Sequence, residues 1–343
     1  MSRAQLTSTV EQNTGGAVSP YVAGKNKVIN GDFGIWQRGT SISLAASSDG
    51  YTADRWRQFT QANQATTITR QVTNDTTNLP FIQYCARIQR NSGQTGTTQM
   101  SFIQGLETIN SVPYAGKTVT LSFYARAGAN FSPTSNAFNA MIYTGTGTDQ
   151  FPTSYTGGAS VGLTTFNITT TWVRYSITGT IPTTATEFGT YFYWNPTGTA
   201  STNDYVEITG VQLEAGSVAT PFSTATGTLS GELAACQRYY WRSSTSQDVL
   251  GSGVAASTTT AYTFVQLPVQ MRSNPTFSAN SGGSYFTLYC GNVNPGVNTI
   301  STVYNATTRG ALVSWTTSGM NTSSGVVVIA TNASAYLEAS AEL

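Results

Sequence analysis

The chain has 343 residues, which is enough for two or three domains of about 100 to 200 residues each. Only 9% of its residues are charged, and 16 basic side chains against 15 acidic ones leave a net charge of +1. This composition lacks the positive field that binds phosphate backbones and anionic lipid, so we expect no nucleic-acid partner and no membrane-surface partner. No apolar run approaches about 18 residues, so no membrane insertion is expected.

Residues 1–24 are short of apolar side chains, contain Gly15, Gly16 and Pro20, and show no hydrophobic period. This predicts an extended arm, separate from the folded domains, that could lie along a partner; an unattached tail is the alternative. The arm also lacks an apolar core of signal-peptide length. We therefore expect the chain to be made and kept in the cytoplasm of the producing cell.

Residues 25–225 show apolar side chains at every second position in many short segments, which is typical of strands with one buried face. In residues 118–126, for example, Val119, Leu121 and Phe123 alternate with polar or half-polar neighbours. Short strands between Gly, Asn and Thr turns predict an antiparallel β-sandwich. The predicted strands in this region are 66–72, 81–89, 100–106, 118–126, 172–178, 190–194 and 205–213.

Two tryptophans, Trp36 and Trp56, lie before and after the first predicted turns of this domain. A tryptophan face can stack on a sugar ring. We interpret both residues instead as core aromatics whose indole N–H bonds to the backbone, because that is the commoner role of a tryptophan.

Aromatic residues occupy both faces of the predicted strand 190–194, where Tyr191 and Tyr193 alternate with Phe192 and Trp194. Burying one set exposes the other unless a second layer covers it. An exposed tyrosine pair or tryptophan edge would form a platform on which a sugar ring can stack. We therefore take Tyr191, Tyr193 and Trp194 as candidate glycan-binding residues, and burial against a neighbouring domain or subunit as the alternative.

The segment 211–242 joins this domain to a second β-domain, residues 226–343. Ser230 is predicted to cap a short linker helix, with Glu232 near the positive end of the helix dipole and residues 233–238 completing two turns. The predicted strands that follow are 239–242, 261–269, 285–290, 311–315, 325–330 and 335–343, which indicate a second β-sandwich. The predicted fold class is all-β.

Three cysteines, Cys85, Cys236 and Cys290, stand at wide spacings. An odd number without a regular spacing does not form a disulfide framework. We predict free, buried thiols that act as small apolar residues.

Several segments of the sequence stand out in order along the chain. In the first domain they are NKVINGDFGIWQRG (26–39), YTADRW (51–56), GKTVTLSFYAR (116–126) and VQLEAG (211–216). In the second domain they are CQRYY (236–240), PVQMR (268–272) with NPT (274–276), and YLEASAEL (336–343). The first set resembles tailed-bacteriophage virion proteins that carry a carbohydrate-binding-module-like jelly roll, and the second set resembles the C-terminal domain of phage tail-fibre and head-fibre proteins.

The resemblance implies a structural protein of the virion, located on the capsid or tail surface. The first hypothesis is a tail fibre or tail-associated host-recognition appendage that residues 1–24 anchor to other virion proteins, and whose jelly roll could bind a host surface glycan. The alternative is a capsid-bound head fibre or decoration protein. The C-terminal domain of this family commonly forms trimers, so the resemblance also implies a homotrimer.

A structural calcium ion is a further implication of the resemblance, because jelly rolls of this kind often hold one between their first and last strands. The positions to examine are Asn30 and Asp32 in the segment that matches the first strand, and Glu214 in the last strand. No spaced acidic calcium loop occurs in the sequence. No other cofactor is expected.

An enzyme is the third hypothesis, in the form of a polysaccharide depolymerase. The sequence contains no histidine, which removes the commonest general base and excludes a Ser-His-Asp triad. Asp204 and Glu207 lie three residues apart in a predicted strand and so point to opposite faces, whereas the pairing of Asp149 with Glu187 stays open. We predict that the protein is not an enzyme.

Overall fold

A computed structural model describes residues 23–243, 247–280, 285–291, 293–297, 300–331 and 334–343. The predicted arm, residues 1–24, lies outside the described residues except for its last two. The chain divides into two compact units, one that runs to Glu232 and includes Leu343, and one formed by Leu233–Glu342. None of the helices in the described residues has the length and hydropathy of a membrane span.

The first unit is a sandwich of two antiparallel six-stranded sheets. The first sheet contains, in spatial order, β1 (Ser41–Leu44), β4 (Thr66–Val72), β5 (Tyr84–Arg90), β12 (Tyr205–Ala215), β7 (Thr118–Ala127) and β10 (Val173–Thr180). The second sheet contains β2 (Asp49–Tyr51), β3 (Arg57–Phe59), β6 (Met100–Gly105), β11 (Glu187–Trp194), β8 (Ala137–Gly145) and β9 (Ala159–Asn167).

Between β5 and β12, every connection except β8–β9 crosses from one sheet to the other. This is jelly-roll connectivity, and it lets each strand bury one face against the opposite sheet. The predicted all-β jelly-roll sandwich is therefore confirmed for this unit.

Aromatic side chains from the two sheets fill the core of the first unit. Phe123 of the first sheet meets Phe192 of the second, with ring centroids 4.9 Å apart and edge to face. Trp56 stacks on Phe102 at 5.0 Å. Each of these four side chains is almost fully buried, and such aromatic pairs stabilise a core beyond the area they bury.

The two tryptophans near the start of the domain are part of this core. Trp36 donates its indole N–H to the carbonyl of Phe33 at 2.7 Å, and Trp56 donates to the carbonyl of Asn30 at 3.1 Å. Both side chains are buried. The interpretation of Trp36 and Trp56 as core aromatics is confirmed.

Strand β12 carries one extra residue relative to β7 at Gly210, whose φ is 57°. Beside this bulge, the Val211 N–H donates to the carbonyl of Gly31 at 2.9 Å, and the Val211 carbonyl accepts from the Asn26 amide at 3.0 Å. Residues 26–39 are thus hydrogen-bonded to β12. They form turns and contain no strand. The expectation of a first strand there was wrong, because the chain first enters a sheet at β1.

The second unit contains a three-stranded and a seven-stranded antiparallel sheet. The smaller sheet consists, in spatial order, of β13 (Tyr240–Arg242), β22 (Leu337–Ser340) and β16 (Thr276–Ala279). The larger consists of β18 (Gly296–Val297), β17 (Phe286–Cys290), β21 (Gly325–Ala330), β14 (Val249–Ala255), β15 (Thr260–Gln266), β20 (Gly310–Thr316) and β19 (Ile300–Thr307).

The core of the second unit lies between its two sheets. Phe277 and Leu337 of the smaller sheet belong to the same buried cluster as Phe286 and Trp315 of the larger one. Trp315 donates its indole N–H to the hydroxyl of Thr263 at 2.8 Å, so its polar atom is satisfied inside the core. The predicted second sandwich is confirmed.

Within the described residues, helical structure is confined to short segments. The linker helix is Leu229–Gln237, and its cap is Thr228, whose hydroxyl accepts from the Gly231 N–H at 3.1 Å. The predicted cap, Ser230, instead lies in the first turn, because the helix begins two residues earlier than a helix capped by Ser230 would. The remaining segments are the helix Thr108–Ser111 and the 3-10 turns Val112–Tyr114, Thr134–Asn136 and Pro152–Ser154.

All three cysteines, Cys85, Cys236 and Cys290, are free and fully buried. This confirms the prediction of buried, unpaired thiols. Burial raises the pKa of the Cys85 thiol far above its ordinary value, and the nearby Glu207 charge raises it further.

Candidate functional site

The outer face of the second sheet carries the predicted aromatic strand, β11. Phe192 and Trp194 point into the sandwich and are buried, whereas Tyr191 and Tyr193 point outward and are half-buried. The two sets therefore do occupy opposite faces. The outward set consists of the two tyrosines alone.

Trp194 does not belong to the candidate site. Its ring stacks on Phe138 at 5.7 Å and lies 6.4 Å from Phe131, and only 3% of its surface is exposed. Trp194 shares the inward parity of Phe192 on this strand, so the fold places it in the core. The prediction of a sugar contact by Trp194 was wrong for this reason.

Four tyrosines form a continuous aromatic row on this face. Tyr155 stacks on Tyr143 with ring centroids 5.9 Å apart and planes 7° from parallel. Tyr143 meets Tyr191 edge to face at 5.7 Å, and Tyr191 meets Tyr193 in the same way at 6.1 Å. We call this set, Tyr155, Tyr143, Tyr191 and Tyr193, the tyrosine row.

Strand register explains half of the row. Tyr143 of β8 pairs with Gly189 of β11, two positions before Tyr191, so the two rings lie diagonally across neighbouring strands. Gly189 has no side chain to separate them. Neither β8 nor this pairing was predicted from the sequence.

A loop brings the fourth tyrosine over the sheet. The 3-10 turn Pro152–Ser154 crosses β6 at Gly105, where a Cβ atom would lie 2.7 Å from the Pro152 ring. This close approach sets Tyr155 against Tyr143. The Tyr155 hydroxyl is buried and forms no hydrogen bond within the described residues.

Polar groups flank the other end of the tyrosine row. The Tyr191 hydroxyl lies 3.2 Å from the Ser101 hydroxyl and accepts from the exposed Gln99 amide at 3.2 Å. Asn139 donates to the carbonyl of Tyr193 at 3.3 Å and accepts from the Thr165 hydroxyl at 2.6 Å. Aromatic faces edged by amides and hydroxyls suit a polyol ligand, which needs both stacking and hydrogen bonds.

The phenols of Tyr191 and Tyr155 are neutral over the physiological pH range. Burial raises the pKa of Tyr191, and burial together with the Glu187 charge raises the pKa of Tyr155. A neutral hydroxyl both donates and accepts, so the row offers hydrogen bonds and no charge.

The carboxylate pair left open by the sequence, Asp149 and Glu187, lies near the Tyr155 end of the row. Burial raises the pKa of Glu187, and the Asp149 charge raises it further. Glu187 accepts from the Gln150 N–H, and Asp149 accepts from the Thr108 N–H at 2.8 Å. Both carboxyl groups therefore hold the loops at this end of the sheet by accepting backbone hydrogen bonds.

The other carboxylate pair considered from the sequence, Asp204 and Glu207, forms ion pairs with different arginines. Asp204 binds Arg90 at 3.2 Å, and both side chains are buried. Glu207 lies between Arg87 and Arg126 on the first sheet, with the Arg87 contact at 2.6 Å. Asp204 lies one residue before β12, and these ion pairs give the two carboxylates different partners.

Two of the three predicted calcium ligands have their oxygens engaged by the protein. The Asn30 side chain accepts from the Ile35 N–H at 2.9 Å and donates to the Ile35 carbonyl, which closes a turn. Glu214 accepts from the Thr220 N–H at 2.9 Å and from the Gln212 amide at 2.7 Å. A calcium ion would have to share these oxygens with the hydrogen bonds that they already accept.

The third predicted ligand, Asp32, is grouped with Glu232 and not with Glu214. Both Asp32 and Glu232 line a cavity of about 180 Å³ whose rim includes Phe81 and Leu229. Burial raises the pKa of each carboxyl group, and the Asp32 charge further raises that of Glu232. Among the described residues, no set of three or more His, Cys, Asp and Glu side chains could hold a metal ion.

No protein-family model matches the chain, and no curated protein matches it either. Among solved structures, it is similar to a CBM4 structure at 23% identity with a TM-score of 0.28, covering 38% of this chain and 71% of the other. It is also similar to the CBM22-1 xylan-binding domain of Paenibacillus barcinonensis Xyn10C, at 12% identity with a TM-score of 0.32, covering 52% of this chain and 95% of the other.

A phage protein is a further structural neighbour. The enzymatically active domain of bacteriophage CBA120 tailspike protein 4 is 16% identical with a TM-score of 0.34, covering 58% of this chain. This chain spans only 22% of the length of that tailspike domain. The jelly-roll assignment of the first unit rests on the order of its own strands in the two sheets.

Proposed function

We propose that the first unit binds a glycan on the outer face of its second sheet, and that it does so without catalysis. The observation that carries the proposal is the tyrosine row, in which Tyr143, Tyr191 and Tyr193 present half-buried aromatic rings beside the amide of Gln99 and the hydroxyl of Ser101. Tyr191 and Tyr193 provide stacking surface, and Tyr143 extends it across β8. The ligand class is a neutral or weakly charged polysaccharide, because the row carries no formal charge.

Alanine substitution tests the sugar contact. Tyr191→Ala and Tyr193→Ala should each weaken binding to an array of bacterial surface polysaccharides by about 2- to 10-fold, since a stacked aromatic ring contributes about 0.5–1.5 kcal/mol beyond the area it buries. Tyr84→Ala, which removes a half-exposed tyrosine of the first sheet, is the matched control. Binding that survives the Tyr191→Ala, Tyr193→Ala double substitution would refute the proposal.

We propose further that the protein is a virion appendage, either a tail fibre or tail-associated host-recognition protein or a capsid-bound head fibre. The support is the ordered set of phage-like segments from residue 26 to residue 343, and a glycan-binding face suits the host-recognition role better than the capsid role. Imaging of the virion with labelled protein distinguishes the two sites. Density on the capsid shell alone would refute the tail location, and failure of Tyr191→Ala, Tyr193→Ala virions to lose host adsorption would refute the receptor role.

The N-terminal arm is the proposed attachment to other virion proteins. Deleting residues 1–24 should abolish incorporation into particles while leaving the two folded units intact. Incorporation of the truncated protein at the normal level would refute this role. Circular dichroism of the truncated protein supplies the folding control.

A further inference from the structure

The seven-stranded sheet of the second unit has an uncovered outer face with a continuous row of side chains. The pairing register aligns one residue from each of six neighbouring strands directly across the sheet. In spatial order from β17 to β19 they are Tyr289, Val327, Ser252, Phe264, Leu312 and Tyr304. We call this set the cross-sheet row.

The cross-sheet row is exposed where its side chains are large. Phe264 is 53% exposed, Tyr289 47% and Tyr304 42%, and the neighbouring Val254 is 44% exposed. Their strand neighbours, such as Val265 beside Phe264, point inward and are fully buried. The inner face therefore packs against the three-stranded sheet, whereas the outer face has no such layer among the described residues.

Charge is missing from this face. None of the strands β14, β15, β17, β18, β19, β20 and β21 contains Asp, Glu, Lys or Arg. Tyr262 meets Tyr304 edge to face at 5.9 Å, which extends the aromatic surface beside the row. Natural sheets usually protect an exposed face with charged side chains, so their absence from seven strands indicates that something covers it.

We propose that this face is where copies of the chain associate. An uncharged face meets its own copy without Coulomb repulsion, whereas it offers no electrostatic complement to a charged partner. The aliphatic members of the row, Val327 and Leu312, also offer no hydrogen bond to a sugar. Self-association buries exposed apolar surface by symmetry, with no requirement for a second gene product.

The size of the face supports this occupant. Seven strands at about 4.8 Å spacing and about six residues of about 3.3 Å each give a footprint of about 600 Å² per copy. A standard protein interface buries about 800 Å² per partner. The face is thus large enough to form most of a stable interface between copies. This face would be the contact surface of the homo-oligomer that the sequence resemblance implies. The proposal does not depend on glycan binding by the first unit.

The test is the molar mass of the full chain by light scattering and mass photometry. The unmodified protein should have a mass of more than one chain at micromolar concentration. Phe264→Glu should raise the dissociation constant by about 30-fold or more, as expected for losing a central contact. Phe81→Glu, which replaces a phenylalanine of the first unit that is 84% exposed, should leave the mass unchanged.

Cross-linking provides a second measurement in case Phe264→Glu alters the fold. Ser252 lies in the middle of the cross-sheet row, and the three native thiols are buried. Ser252→Cys should therefore form cross-linked chains with a short bis-maleimide, whereas the parent protein should not.

The outcomes separate this inference from the other proposals. A multi-chain mass that Phe264→Glu leaves unchanged, or an oligomer in which Ser252→Cys does not cross-link, would refute this face and leave the homo-oligomer standing. A monomeric parent protein would refute both. Polysaccharide binding, measured separately on the same samples, reports on the first unit alone.

Discussion

Single side chains of this protein have roles set by which side of a strand they occupy. Trp194 and Tyr193 are adjacent in β11. Trp194 packs in the core beside Phe138, whereas Tyr193 lies on the outer face of the sheet and is half-buried. Composition does not distinguish these positions. Parity does, because successive strand residues point to opposite faces of the sheet.

Truncating Trp194 and Tyr193 should therefore have different costs. Trp194→Ala leaves a cavity in the core and should lower the free energy of unfolding by about 3–5 kcal/mol. Tyr193→Ala removes a half-exposed ring and should cost about 1 kcal/mol. Denaturant titration of the two variants measures both values, and equal costs would contradict the assignment of Trp194 to the core.

Asp32 makes the stability of the first unit depend on pH. Burial raises its pKa above the ordinary value of 3.8, so the folded chain holds this proton more tightly than the unfolded chain does. The resulting stability is fully present below that ordinary value and is lost as the pH rises through the raised pKa. Asp32→Asn keeps the size of the side chain and removes the charge, so it should raise the melting temperature at pH 7 and reduce this loss.

Asp75 supplies the opposite control for Asp32. It is exposed, and hydrogen bonds from Asn78 lower its pKa, so Asp75→Asn should not raise the melting temperature. A bound calcium ion would reverse the Asp32 result, because it would stabilise the charged carboxylate.

We expect a chelator to leave the melting temperature unchanged, since the side-chain oxygens of Asn30 and Glu214 already accept hydrogen bonds within the protein. A lower melting temperature in chelator would support the calcium site instead.

At the scale of elements, several strands that the sequence predicts are found in the structure at the same positions. The segments 66–72 and 325–330 match β4 and β21 residue for residue. Strand β8 was missed because its run Ala140-Met141-Ile142 is apolar on both faces, and the edge strand β9 was missed because most of its side chains are exposed. Periodicity reports a contrast between faces, and these two strands have none.

The same limit applies to the candidate site. The alternation in β11 separates Tyr191 and Tyr193 from their neighbours, but it does not say which set faces outward. Tyr143 requires the register of β8 against β11, and Tyr155 requires a loop to fold back over β6. Both contacts join residues distant in sequence, so no local pattern encodes them.

The bulge at Gly210 lies beside the hydrogen bonds that join residues 26–39 to β12. We expect that position 210 does not tolerate a side chain. A Cβ atom there would lie 2.8 Å from Ile82 and 2.9 Å from Tyr124, in addition to the strain of φ 57°. Gly210→Ala should lower the free energy of unfolding by about 2–4 kcal/mol.

Gly198 is the matched control for this substitution. Its φ is 60°, and no atom lies within 4 Å of the position of its Cβ, so Gly198→Ala has the backbone strain without the collision. We expect a cost of about 1 kcal/mol for it. If both variants unfold at the same denaturant concentration, the bulge is not sterically constrained.

On the scale of the whole molecule, apolar burial and hydrogen bonding hold both units together with little help from charge. Only 9% of the residues are charged, and ion pairs such as Arg90 with Asp204 are individual braces inside one sandwich. Surface ion pairs contribute little to most folds in any case. The uncharged outer face of the seven-stranded sheet is the extreme of this composition, and self-association is the proposed way in which its exposed apolar side chains are covered.

The three cysteines report whether each unit is folded, because each thiol is fully buried: Cys85 in the first unit, and Cys236 and Cys290 in the second. A thiolate is the reactive form, and burial raises the pKa of Cys85, so both access and ionisation oppose its reaction. We expect no reaction of the native protein with an aromatic disulfide reagent at pH 8, and reaction of all three thiols in denaturant. The Ser252→Cys variant should add one thiol that reacts at once when the oligomer is diluted apart, which shows that the reagent reaches an exposed site. A native thiol that reacts as fast as this added one would contradict the packing of the unit that contains it.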